Sequence, residues 1–137
     1  MKRNTWLLVS LTVLFLLLSG CGRSGSEGHS SSENTLEPIK VELTVNPTQV
    51  QTGEKVTFEA KVTHQGKTVD DAKEVVFEYW KDGDNEENHN METVKGAGNG
   101  SYIFETVLES TGTYHVISHV TARDQHSMPS VEFKVVE

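Results

Sequence analysis

From residue 39 onward, apolar side chains recur at every second position. Val41, Leu43 and Val45 alternate with polar neighbours, and so do Val56, Phe58, Ala60 and Val62. Successive residues of a strand point to opposite faces, so this period predicts half-buried strands over 39–46 and 55–63. Asn46-Pro47, Thr52-Gly53 and Gln65-Gly66-Lys67 punctuate them as turns. Residues 74–80 are apolar on both faces, with Val75, Phe77 and Tyr79 against Val76 and Trp80. That pattern predicts a central strand covered on both sides. A short edge strand is expected over 91–95. Asn99-Gly100 then marks a hairpin, because both residue types tolerate the positive φ of a tight turn. Further strands are expected over 101–108 (Tyr102, Phe104, Thr106, Leu108) and 113–123, and around Val131, Phe133 and Val135. No window in this part of the chain has the period of a helix.

About seven short strands at near-regular spacing predict an all-β, immunoglobulin-like antiparallel β-sandwich. A barrel of the same strand number is the competing fold. Gly112-Thr113-Tyr114 favours the sandwich. It resembles the corner that opens the sixth strand of such domains, where a Tyr hydroxyl bonds backbone across the turn and the residue two on is buried. Val116 would be that residue. Tyr114, Val116, Ser118, Val120 and Ala122 then face the core, and His115, Ile117 and His119 face outward.

The N-terminal residues read as an address. Lys2 and Arg3 precede an apolar run over residues 7–18, too short to span a hydrocarbon core of roughly 30 Å. The run ends in Leu18-Ser19-Gly20-Cys21, which resembles a bacterial lipobox. Residues 1–20 are thus expected to be a lipoprotein signal peptide, with Cys21 acylated. Several acyl chains give a stable anchor where one does not. Residues 21–36 are Gly- and Ser-rich and read as a flexible tether, in which His29 is incidental. Residues 37–137 are expected to form the single folded domain. The expected location is the extracytoplasmic face of the cell membrane.

Charge and cysteine content narrow the chemistry. The formal net charge is −8, and loss of Lys2 and Arg3 with the signal makes it more negative. Nucleic acid, which calls for a basic footprint, is excluded as a partner. An anionic membrane surface would repel the domain, leaving the lipid to hold it there. Cys21 is the single Cys, so a lipidated protein has no thiol for catalysis, disulfides or thiolate ligation. No Gly-x-Ser-x-Gly elbow, phosphate loop or His-Glu-x-x-His motif is present, and no enzymatic activity is expected. The acidic stretch from Asp82 begins like a calcium loop but lacks Gly at the sixth position and has Thr93 at the twelfth. It reads as a solvated, mobile loop.

What remains is a set of imidazoles and thioethers. Three of the six His lie between residues 115 and 126, and His-x-Met occurs twice, as His89-Asn-Met91 and His126-Ser-Met128. In extended chain, residues i and i+2 share a face and can address one ion. Imidazole with thioether suits copper, Cu(I) above all. The candidate metal ligands are His126 and Met128, with His119 or His115, and with His89 and Met91 from the loop. His115 and His119 are separated by about 13 Å of strand at roughly 3.3 Å per residue, too far to share an ion. A second candidate is a protein-binding face at the cell surface, built on Trp80 and Ile117 with Glu78. A third is pH sensing by the clustered imidazoles.

Asp71-Ala72, Gly100-Ser101-Tyr102, Gly112-Thr113-Tyr114 and above all His119-Val-Thr-Ala-Arg123-Asp-Gln-His126-Ser-Met128-Pro129 resemble the YtkA-like domain, within the FixH-like group. The resemblance runs from about Ile39 to the C terminus. It implies an immunoglobulin-like domain outside bacterial membranes, often on a lipoprotein. FixH-like relatives are membrane proteins linked to assembly of a copper-containing terminal oxidase. This chain differs from them in having an apolar segment that looks cleavable and no other span.

Overall fold

The computed structural model describes residues 37–137. The expected signal, Cys21 and the expected tether with His29 lie outside the described residues. Each alternating run of seven residues or more, and the run over 74–81 that is apolar on both faces, forms a strand. These long strands are β1 (Lys40–Asn46), β3 (Lys55–His64), β5 (Glu74–Lys81), β8 (Ser101–Val107), β9 (Gly112–Ala122) and β11 (Ser130–Val136). The expected edge strand is β6 (Asn90–Thr93). Four short strands complete the set: β2 (Gln49–Gln51), β4 (Lys67–Thr68), β7 (Gly96–Gly98) and β10 (Gln125–Ser127). Two or three residues are too few to display a period of two, which is why the pattern did not mark them.

The strands form two separate sheets, so the fold is a sandwich and not the competing barrel. One sheet has the order β1-β3-β8-β7, with β4 against β3; the other has β2-β11-β9-β5-β6, with β10 against β9. All pairings are antiparallel except that of β2 with β11, which is parallel. The chain thus switches sheets between β1 and β2, a departure from the purely antiparallel expectation.

Phe58 is fully buried between the layers and packs on Phe77, Tyr79, Phe104 and Phe133 at centroid distances of 5.4–6.2 Å. Aromatic side chains dominate such cores through their buried area. The expected tyrosine corner is present: Tyr114 Oη donates to Ser110 O at 3.0 Å, and Val116 is fully buried. A second tyrosine, not marked in the sequence, pins the crossover into β5. Tyr102 Oη donates to Val69 O at 3.0 Å and accepts from Ala72 N at 2.9 Å. Gly100 closes the β7–β8 hairpin at φ +75°, where an added Cβ would lie 2.6 Å from Val62 O. Only glycine meets both demands.

Candidate functional site

The outer face of the second sheet is a lattice set by register. β5 pairs with β9 through Trp80 and His115, Glu78 and Ile117, and Val76 and His119. On its other side β5 pairs with β6, with Glu78 opposite Met91. β10 places His126 opposite Thr121, and β11 places Ser130 opposite Ile117. Both pairings keep one register, so Met128 falls opposite His119. Four rows result: His89, Trp80, His115; Met91, Glu78, Ile117; Val76, His119, Met128; and Thr121, His126.

A two-residue turn makes this possible. Arg123 (φ 53°) and Asp124 (φ 57°) both take positive φ, as a primed hairpin turn requires. β10 thereby folds back directly on β9. The Arg123 guanidinium donates to Asp71 at 2.8 Å, and this bond holds the Asp71 carboxyl below its ordinary range. Gln125 ties β10 to the start of the domain, accepting from Ile39 N at 3.0 Å and donating to Glu37 O at 3.2 Å. An open groove of about 610 Å³ runs along this hairpin, lined by Asp71, Lys73, Thr121, Arg123 and His126 among others.

At the centre of the face, Glu78 accepts from two imidazoles. His89 Nδ1 lies 2.6 Å from Oε1, and His119 Nε2 lies 2.7 Å from Oε2. The bond from His89 holds Glu78 below the usual carboxylate range; burial opposes it, and the bond from His119 adds to it. Trp80 stacks in its row on His89 (4.3 Å, 9°) and on His115 (5.3 Å, 22°). His115 Nε2 also lies 3.4 Å from Asp82. The loop after β5 is closed by Asp84, which accepts from Lys81 N, and by a 3-10 turn over Glu86–Asn88 that delivers His89.

The structure brings together His119, His126 and Met128 on one side of Glu78, and His89 and Met91 on the other. The rings of His119 and His126 lie 6.1 Å apart. One ion can span that gap, since a metal–nitrogen bond of about 2 Å plus the ring radius on each side covers it. His126 Nδ1 bonds the Thr121 hydroxyl at 2.9 Å. Met91 and Met128 are 61% and 51% exposed, so both thioethers are accessible. His115 stands apart, engaged by Trp80 and Asp82. Among the described residues no three of His, Asp and Glu are arranged to hold one ion. Met128, opposite His119, offers a thioether as a further donor beside the two imidazoles.

The expected partner face is altered. Trp80 and Ile117 are half-buried and Val76 is buried; His115 of β9 and His89, just before β6, cover the indole. The exposed apolar groups of this face are the two methionines. Glu78 was legible as an outward residue of β5, but its role as the link between two imidazoles was not. That role depends on the register of β6, which follows a stretch over 82–89 without alternation.

Two layers of β-sheet with a Tyr corner at the start of β9 define an immunoglobulin-like sandwich domain, here carrying a His-, Met- and Glu-bearing outer face. A family model described as YtkA-like matches residues 33–119, and the chain belongs to that family. The match ends at His119, short of the His126-Ser-Met128-Pro129 segment. No curated protein matches the chain in sequence. Among solved structures, the alkylpurine DNA glycosylase AlkC of Pseudomonas fluorescens is 17% identical at TM-score 0.47, covering 72% of this chain and 30% of its own. A superoxide reductase (neelaredoxin) from Ignicoccus hospitalis is 16% identical at TM-score 0.47, with 80% and 89% covered. The PmoD soluble domain from Methylocystis is 13% identical at TM-score 0.48, with 70% and 90% covered. This chain spans under a third of the glycosylase. At these identities the likeness is one of chain path, and nothing of their chemistry transfers.

Proposed function

We propose that the protein is a non-catalytic copper-binding module, held by acylated Cys21 at the extracytoplasmic face of a bacterial cell membrane. The observation that carries this reading is the placement of Met128 opposite His119, with His126 beside them. Two imidazoles and a thioether on one sheet face suit Cu(I) better than hard, oxygen-seeking ions. The lipid motif at residues 18–21 supports the anchor, and the net charge of −8 leaves no attraction to anionic lipid. Copper handling outside the membrane also fits a place in the FixH-like group.

The test is titration of the protein with Cu(I) against a competing chelator. Tight binding by the wild type, weakened at least tenfold in a His126→Ala, Met128→Ala double variant, is the expected result. Equal affinities would end the site. A second reading, a protein-interaction module without metal, is favoured by the two exposed thioethers that flank the face. It predicts capture of a cell-surface partner that Met91→Ala and Met128→Ala weaken and that copper chelation leaves unchanged.

A further inference from the structure

Glu78 has no ligand's part in the copper reading, yet it makes the two shortest side-chain contacts of the face. Both its oxygens are engaged, Oε1 by His89 Nδ1 at 2.6 Å and Oε2 by His119 Nε2 at 2.7 Å. An ionised carboxylate accepts hydrogen bonds and has none to give. Each contacting nitrogen must therefore carry the proton. In the neutral rings this leaves the lone pairs on His89 Nε2 and His119 Nδ1, so the two rings hold opposite tautomers. Neither of those nitrogens has a hydrogen-bond partner among the described residues. The Nδ1–H form required of His89 is the minor one in free histidine, so the environment must impose it.

We propose that Glu78 is a positioning residue that sets both tautomers at once, presenting His119 Nδ1 and His89 Nε2 as the nitrogen donors of the face. A carboxylate behind a ligating imidazole fixes the ring and strengthens it as a donor. Here one carboxylate serves two imidazoles that reach it from opposite sides of β5, His119 from β9 and His89 from the residue just before β6. The side with His119, His126 and Met128 and the side with His89 and Met91 thus become one unit. The use of these donors by copper rests on the proposed function; the tautomers do not.

The experiment is nitrogen NMR of the histidine rings in the full chain, metal-free and at neutral pH, followed by Cu(I) titration against a chelator. The expected pattern is Nδ1–H for His89 and Nε2–H for His119. In Glu78→Gln the amide can accept from one ring but must donate to the other, so one tautomer reverses. Cu(I) affinity then falls about 10- to 100-fold, the usual cost of losing such a partner, while the near-ultraviolet dichroism of the stacked Trp80 persists. His89 found as Nε2–H, either ring doubly protonated, or wild-type affinity in the Gln variant would overturn the proposal. Where that variant fails to fold, the wild-type tautomers decide alone. Expected tautomers in a protein that binds no copper would uphold Glu78's part and remove the copper reading instead.

Discussion

The outer faces of the two sheets are written in the same alternating pattern and are built differently. On the first sheet, Lys55 and Glu105 pair at 2.9 Å with 62% and 50% of their side chains exposed. Ser101 donates to Glu59 beside them, and the face is otherwise open to water. On the second, Glu78 is only 20% exposed and is held between His89 and His119, while Trp80 lies in a row between His89 and His115. An ion pair in water contributes little, because solvent screens it and holding long side chains costs entropy. A carboxylate drawn partly out of water needs its hydrogen bonds. The contrast teaches that polar alternation alone does not distinguish a solvated face from a constructed one. What distinguishes them is the side chains that arrive from adjacent strands.

Substitutions should separate the two faces in order of size. Phe58→Ala removes the ring on which both sheets pack and should cost about 3–5 kcal/mol, read as a lowered urea midpoint. It should weaken both faces alike, and a smaller loss would mean the layers close over the gap. Glu78→Ala strips two imidazoles of a charged acceptor and should cost about 1–3 kcal/mol. The effect should depend on pH with a defined sign. Glu78 is held below its ordinary value of 4.5 in the folded state, first by His89. Its stabilisation is therefore present in full above that ordinary value and is lost as pH falls through the folded-state value. Wild type and Glu78→Ala should converge in urea stability in that acid range and diverge above it; parallel curves would deny Glu78 its partners. Lys55→Ala on the first sheet should change stability by no more than about 1 kcal/mol, and less in high salt.

Much of this architecture was legible because hydrophobic burial has a period. β1, β3, β5, β8, β9 and β11 are long enough to show it, and the Gly112-Thr113-Tyr114 corner fixed which face of β9 turns inward. β2 and β4 are too short to show a period. The β9–β10 hairpin was hidden for another reason. Its turn puts Arg123 and Asp124 at positive φ without the Gly or Asn that normally announces such a turn. The fold-back sets Met128 opposite His119, so the candidate ligands were legible as residue types but not as neighbours. The cover over Trp80 was likewise hidden, because His89 reaches that row only through the register of β6.

The most direct measurement is X-ray absorption at the copper edge on the full chain loaded with one equivalent of Cu(I). The expected spectrum contains both sulfur and imidazole nitrogen around the metal, with the sulfur contribution reduced in Met128→Ala. A coordination sphere without sulfur, or one that Met128→Ala leaves unchanged, would contradict a copper site on this face.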